Sequence, residues 1–552
     1  LTLLIFLRPI QSRLHGDWRN PAAARMRKMY PAASASFVVI VIAAVAFLGW
    51  RDAQGVRPVA ESGRAAPSRQ HADWPYFGQD PGAAKFSSLR EIDRTNAGQL
   101  RQVWEHVEPR PAGAGERVAR KDEATPIQAD GKLFVCRPDN VILALDAEDG
   151  RLIWRYDPHT NLTGVKSAVC RGVAYWDSSA KGGVCQKRIL TATVDARLIA
   201  LDAEDGKPCA DFGEDGAVSL KAGLGAFDPG QYYVTSPPAI AHGVAIVGGL
   251  VQDNVARKLP SGVVRAFDVR TGKLVWAWDM GRAAEPRAPL APDEIFTPGT
   301  PNAWSILSVD ENLGLVFIPT GNETPDFVGT GRLAASEKYS SSIVALDAKS
   351  GAVRWSFQLV HHDLWDYDAS TPPALFDMPG ANGPIPALAA IGKHGVFFVL
   401  DRRTGAAIST VKEQPAPQTD IPGEWSAATQ PDSPDMPRLA GAPLRERDMW
   451  GISPFDQLWC RLQFRKLRYE GAFTPPSLRG SIQYPGLAGG ADWGGVAIDG
   501  ERNLLFAPSF NMASVIQLLP RDAAEKGAKF SDLQAGTPYL ANVNWFITRL
   551  GV

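Results

Sequence analysis

Short apolar runs recur along the chain, each closing in Asp, a tight turn ending in Gly, and a second run in which apolar and polar residues alternate. The copies are Ile142-Leu143-Ala144-Leu145-Asp146 to Gly150 and Trp154, Leu198-Ile199-Ala200-Leu201-Asp202 to Gly206, Val264-Arg265-Ala266-Phe267-Asp268 to Gly272 and Trp276, and Ile343-Val344-Ala345-Leu346-Asp347 to Gly351 and Trp355. A looser copy runs from Val399-Leu400-Asp401 to Gly405. Asp opens such a turn by bonding the backbone and Gly accepts the positive φ that side chains resist, so each copy predicts a half-buried β-hairpin. Successive Asp residues lie 56, 66, 79 and 54 positions apart. That exceeds a plain four-stranded blade, so the repeats predict an all-β propeller with loops inserted between blades. Trp154, Trp276 and Trp355 each fall four residues after their turn glycine and are expected to dock between blades rather than touch a ligand.

A different pattern occupies the N-terminus. Phe37 to Trp50 is apolar apart from Gly49 and follows Arg19, Arg25, Arg27 and Lys28. Counted from Tyr30 it is long enough to cross a bilayer, and the preceding positive charge predicts an anchor helix with the N-terminus inside and the rest of the chain outside. The expected organisation is a basic segment 1–29, an anchor or signal 30–50, a linker 51–73, and a propeller 74–552 that is incomplete at its C-terminus, where no final repeat precedes Leu550-Gly551-Val552.

Charge and cysteine content narrow the partners. With 58 basic against 59 acidic residues there is no global field to draw the protein to nucleic acid, and no nucleic-acid partner is expected. Five cysteines without a Cys-x-x-Cys pair argue against a zinc ribbon or an attached c-type haem. Cys170 and Cys185 form a disulfide if the domain is exported or stand as buried thiols, and the odd count leaves at least one thiol unpaired.

Candidate chemistry is concentrated in His361-His362-Asp363-Leu364-Trp365-Asp366-Tyr367-Asp368, six residues after the Trp355 hairpin. Catalytic groups commonly sit on loops carried by a rigid scaffold. His361 and His362 suit a transition metal by type, but adjacent residues on an extended segment face opposite ways.

The repeat Ala-Leu-Asp-x-x-x-Gly-x-x-x-Trp together with His-His-Asp-Leu-Trp-Asp resembles the pyrroloquinoline quinone (PQQ) dependent dehydrogenases, in particular the membrane-bound glucose, quinate and polyol branch. Ala124-Thr125-Pro126-Ile127, Cys170-Arg171-Gly172-Val173, Thr235-Ser236-Pro237-Pro238, Asp448-Met449-Trp450-Gly451 and Tyr469-Glu470-Gly471 fit the same family. The resemblance implies an eight-bladed propeller with the cofactor on its axis. It implies that Asp366 is the base that takes the alcohol proton and that Lys393, in Ile391-Gly392-Lys393-His394-Gly395, holds the quinone oxygens. Trp304 is implied as the aromatic floor under the cofactor, with Glu123, Thr235 and Trp493 as further cofactor contacts. Asp253 or its neighbour Asn254, with Asn322 and Asp366, is implied to hold Ca²⁺ or Mg²⁺; Asp368 stands where related methanol dehydrogenases use a lanthanide.

Several glucose dehydrogenases carry His three residues before Cys-Arg-Gly, whereas Ser167 stands here. A single candidate span, rather than several, suggests that electrons reach ubiquinone through the propeller itself or a small hydrophobic membrane subunit. The function expected is PQQ-dependent oxidation of a sugar, polyol or cyclic alcohol at the periplasmic face. The alternative is a non-enzymatic propeller of PQQ-like repeats that binds protein partners, which predicts the repeats without the site residues.

Overall fold

The computed structural model describes residues 73–108, 118–179, 183–282, 291, 293–525 and 527–549. The apolar segment expected to form an anchor lies outside them. Among the described residues no helix is long and apolar enough to cross a membrane.

The repeats ending in Asp146, Asp202, Asp268 and Asp347 each form the third strand of a four-stranded antiparallel sheet, and the looser copy at Asp401 the last strand of a three-stranded one. The first blade comprises Ile127–Ala129, Lys132–Cys136, Ile142–Asp146 and Leu152–Tyr156; the second, Ala174–Asp177, Lys187–Ala192, Arg197–Asp202 and Ala217–Ser219. The third is Ala239–Ala241, Val244–Val247, Val264–Asp268 and Leu274–Trp278, and the fourth Ser308–Asp310, Leu315–Pro319, Ser342–Asp347 and Val353–Gln358. A fifth sheet has three strands, Ala374–Met378, Ile385–Ile391 and Phe397–Asp401, and a sixth two, Ala497–Asp499 and Leu504–Phe506. From the second sheet to the sixth, the first strand of each touches the first strand of the next, which places these edges around a common axis. This is a β-propeller.

The cores lie between sheets. Ile142 and Ala144 pack with Ile189 and Leu201, Leu198 and Ala200 with Ala245 and Phe267, and Val264 and Ala266 with Val316 and Leu346. Phe317 and Ala345 continue the series with Leu388 and Phe398. A strand covered on both faces has no solvent side, which is why these runs read as nearly unbroken apolar stretches.

The docking of the repeat tryptophans is specific. The Trp154, Trp276 and Trp355 indole nitrogens donate to the carbonyls of Ala203, Ala348 and Arg402 in the following blade, at 3.2, 3.0 and 3.1 Å. Each ring lies on the next turn glycine: a Cβ on Gly206, Gly351 or Gly405 would come within 2.6 Å of it. Those glycines also have φ near +73°, so both backbone and space demand glycine. The second copy carries no tryptophan, and Val218 lies against Gly272 instead.

The disulfide expectation is corrected. Cys170 bonds Cys136 and Cys185 bonds Cys209, while Cys460 is free and buried. Cys136 ends a strand of the first blade, where the chain entering the second passes, and the two Cα atoms are 5.9 Å apart. Spatial neighbourhood across blades decides the pairing, and sequence spacing does not reveal it.

After Asp401 the repeat gives way to a hairpin, Lys412–Pro415 with Thr429–Asp432, a helix, Pro454–Lys466, and a separate sheet of Ser481–Gln483, Ser514–Pro520 and Tyr539–Trp545.

Candidate active site

The loop after the fourth blade is shaped by Asp363. Its buried carboxylate accepts from the Trp365 and Tyr367 amides, both at 2.8 Å, and from the Ser341 hydroxyl at 2.6 Å. Burial pushes its pKa up to about 6 against those hydrogen bonds. Tying two alternate amides to one side chain folds the segment tightly, and Asp366 between them adopts φ +59°, a left-handed conformation uncommon for a side-chain-bearing residue. Trp365 is locked beneath by its indole bond to the Thr474 carbonyl, 2.8 Å.

Lys393 faces this loop. Its ammonium lies 3.0 Å from Asp366 and 2.7 Å from Asp368. Burial alone would lower its pKa, but Asp366, Asp368 and Asp492 together hold it well above the usual range. Gly392 and Gly489 make this approach possible, since a Cβ on either would come 2.7 Å from the Asp368 carbonyl or the Lys393 Cα. Asp368 then binds two more neighbours: the Trp304 indole N–H at 3.1 Å and the Asn322 amide at 2.6 Å. One carboxylate thus fixes Trp304, Asn322 and Lys393 relative to one another.

Asp253 belongs to the same electrostatic cluster. Burial first, then the charges of Asp366 and Asp368, raise its pKa well above the carboxylate range. Asp366 is raised by burial and by Asp368 and Asp326, with Lys393 opposing. Asp326 is raised by burial, then by Asp253, Asp532 and Asp368, and one of its buried oxygens has no hydrogen-bond partner. The Asn322 side-chain oxygen accepts from Ser340 at 3.2 Å, and the buried Asn302 side-chain oxygen has no partner. All of these are oxygen donors, the type a hard divalent cation takes. Asn254 is differently used: its amide nitrogen donates to Asp326 at 2.7 Å and Asp532 at 3.1 Å, and its oxygen accepts from the Asp326 amide at 2.9 Å.

Glu123, Thr235 and Trp493 gather around Arg171 of the Cys170-Arg171-Gly172-Val173 motif. Arg171 is buried, 2.8 Å from Glu123 and 2.6 Å from the Thr235 hydroxyl. Its guanidinium is 4.9 Å from the Trp304 ring centroid and 5.5 Å from that of Trp493, and its Nε has no hydrogen-bond partner. A buried cation with an unspent donor between two indoles suits a planar anion. The fit to an ortho-quinone bearing carboxylates is therefore good: Arg171 with Thr235 for the acid groups, Trp304 and Trp493 for the ring faces, Lys393 for the quinone oxygens. Ser167, whose buried hydroxyl also has no partner, lies on the strand Ser167–Val169 leading to Arg171.

The two histidines take no part in this cluster. His361 meets Gln358 and Glu413. His362, buried, meets Glu337 at 2.9 Å and Glu424 at 3.1 Å and stacks on Trp425. The Cys-Arg-Gly motif was the one available signal for Arg171; no signal marked Asp326 or the bracing role of Asp368.

Residues 74–552 match the family model described as "PQQ: Glucose/ethanol/alcohol dehydrogenase, beta-propeller domain". The chain is 39% identical over 88% of its length to the quinate/shikimate dehydrogenase (quinone) of Acinetobacter baylyi and spans 63% of that protein. It is 40% identical over 89% of its length to the glycerol dehydrogenase large subunit of Gluconobacter oxydans and spans 69% of that relative. Among solved structures, the quinohemoprotein alcohol dehydrogenase ADHIIG from Pseudomonas putida HK5 aligns with a TM-score of 0.57 at 26% identity, covering 81% of this chain and 58% of that one.

Proposed function

Since the chain belongs to the PQQ-dependent glucose/ethanol/alcohol dehydrogenase family, we propose that it is a quinoprotein that oxidises a sugar, polyol or cyclic alcohol, with PQQ and a divalent cation such as Ca²⁺ or Mg²⁺. The observation that carries this reading is the convergence of Asp366, Lys393, Trp304, Asn322 and Asp253 on one loop cluster, bound together through Asp368. A partner-binding propeller has no use for such a buried, mutually repelling set of acids.

When bound, the quinone supplies the two-electron acceptor. Asp366 takes the hydroxyl proton of the substrate. Burial, with the charges of Asp368 and Asp326 behind it, raises the Asp366 pKa; Asp253 and Asn322 would hold a divalent cation, whose charge would favour the ionised carboxylate. Lys393 presents a fixed positive charge to the cofactor's oxygens, and its ties to Asp366 and Asp368 keep the ammonium from wandering. Arg171 neutralises the cofactor's acid groups, and the indoles of Trp304 and Trp493 exclude water from its faces. Asn254 braces Asp326 and the 532–535 segment rather than offering its oxygen to the ion.

The relatives named for quinate/shikimate and glycerol direct the choice of substrates. The remaining parts of the proposal are eight blades in the whole propeller, an N-terminal anchor, a periplasmic site, and transfer of electrons to membrane ubiquinone directly or through a small hydrophobic subunit. The test is dye-linked oxidation by the full-length apoprotein across glucose, quinate, glycerol, sorbitol and inositol. Activity that requires both PQQ and Ca²⁺ is the expected result; absence of activity together with absence of PQQ binding overturns the reading.

A further inference from the structure

The helix Pro454–Lys466 turns an apolar stripe outward. Its inner face buries Asp456 and Cys460, and Phe464 packs edge-on to Tyr469 at 5.6 Å. Its outer face carries Phe455, Leu458 and Leu462, at the i, i+3, i+7 spacing of one helical stripe. Trp450 and Ile452 extend it, because the segment 449–452 is folded back on the first turn: the Ile452 amide donates to Asp456 at 3.1 Å and the Gln457 side chain to the Met449 carbonyl at 3.0 Å. These five residues are 48% exposed at Leu462 to 70% at Phe455, the densest run of exposed large apolar side chains among the described residues. Single exposed apolar residues are ordinary, but a contiguous patch marks a surface meant to be covered.

The charges beside the stripe say what covers it. Residues 445–479 hold seven Lys and Arg against four Asp and Glu, a net of +3, in a chain whose total is −1. Arg465 and Lys466 close the helix on its exposed side, and Arg461 and Arg465 are gathered at its flank by Glu446. The end is fixed by Arg479, which donates to the carbonyls of Lys466 and Arg465 at 2.6 and 2.7 Å. An apolar stripe with an indole at one end and a cationic margin matches a headgroup boundary of anionic lipid. The apolar run Phe37–Trp50 of the same chain is a separate, sequence-level reason to place the propeller beside a bilayer.

We propose that the outer face of helix 454–466, with Trp450 and Ile452, is an interfacial docking surface that lies in the headgroup region of an anionic bilayer. The surface orients the propeller on the membrane in addition to any N-terminal segment, and it is independent of the redox chemistry assigned to the axis.

The test uses the full chain with Cys460→Ser and a nitroxide attached through Leu458→Cys or Leu462→Cys, with Lys207→Cys as a control on an exposed turn of the second blade. On phosphatidylglycerol vesicles the labels at 458 and 462 gain oxygen accessibility and lose nickel-chelate accessibility, while the label at 207 does not change. Reversing Arg465→Glu together with Lys466→Glu lowers the ratio of immersed to free label at least about thirtyfold and leaves dye-linked activity unchanged. Labels at 458 and 462 that stay in water, whether or not the chain is vesicle-bound, overturn the proposal. So does the same response on neutral phosphatidylcholine vesicles, or immobilisation that rises with protein concentration without lipid, which identifies a second copy as the occupant. Dye-linked turnover in the labelled variants separates this outcome from failure of the redox reading.

Discussion

The blades before Asp401 and the loops that fill the site are built by opposite rules. In the first four blades the third strand of each sheet is buried along nearly its whole length, and from the second sheet to the fifth each turn glycine receives a side chain from the preceding blade: an indole at Gly206, Gly351 and Gly405, a valine at Gly272. The buried cations there, Arg188 and Arg265, are met by backbone carbonyls, and Arg188 by Asp211 as well. In the loop cluster around Lys393 the order is reversed: Asp253, Asp326, Asp366 and Asp492 are pushed to higher pKa by burial and by their neighbours, Asp366 has φ +59°, and buried polar atoms of Arg171, Asn302 and Asp326 go without partners. The repeat region spends its sequence on stability. The loop region spends that stability on an arrangement of charge that is costly without a ligand.

That division is breakable at both ends. Asp366→Asn is expected to lower dye-linked turnover by about 10²–10⁴-fold with little change in unfolding midpoint, read by activity and denaturant titration on the same sample. Equal loss of both would erase the distinction. Trp276→Ala should do the converse, costing about 3–5 kcal/mol while the folded fraction still binds PQQ; a cost under about 1 kcal/mol would show that inter-blade docking is not what holds the ring. Gly351→Ala attacks the same contact from the other side, through positive φ and a Cβ 2.5 Å from the Trp276 ring, and is expected to cost about 1–3 kcal/mol.

A smaller effect sharpens the comparison at its boundary. His362 joins the loop 361–368 to Glu337 and Glu424, and Glu424 also accepts from the amides of Gly329 and Thr330. Burial lowers the imidazole pKa, but the two carboxylates outweigh it and Arg332 and raise the net value; both glutamates are lowered by His362. The raised His contributes stability below its unfolded pKa that is lost as pH rises through the folded value. The lowered glutamates contribute above their unfolded pKa and lose it as pH falls. Protection of the Gly329 and Thr330 amides, relative to their intrinsic exchange rates at each pH, should therefore be greatest between about pH 4.5 and 6.5 and fall on either side; His362→Gln should flatten the profile. Least affected of all is Phe506→Ala, on an exposed edge of the sixth sheet, expected within about 0.5 kcal/mol of the parent.

The sequence disclosed these two regions unequally. Asp146, Gly150 and Trp154 announce a blade because turn chemistry and strand periodicity are local, and local rules survive any tertiary context. Lys393 and Trp304 were visible only through motifs. Asp368 was weighed as a metal ligand, whereas both its oxygens are occupied by Lys393, Trp304 and Asn322; which groups fill a carboxylate's lone pairs is settled by loops some 25 to 64 residues away. The partners of the Asn254 side chain likewise include the distant Asp532. The Cys136–Cys170 pairing and the exposed stripe on helix 454–466 also depend on neighbours rather than on local pattern.

The tryptophan docking has a consequence for synthesis. Each indole finds its carbonyl partner 49, 72 or 47 residues further along the chain. At about 5–20 residues per second the ring waits roughly 2–15 s on the ribosome before its seat exists. At the first, third and fourth blades the propeller is thus assembled with an unseated aromatic, one blade behind the growing chain.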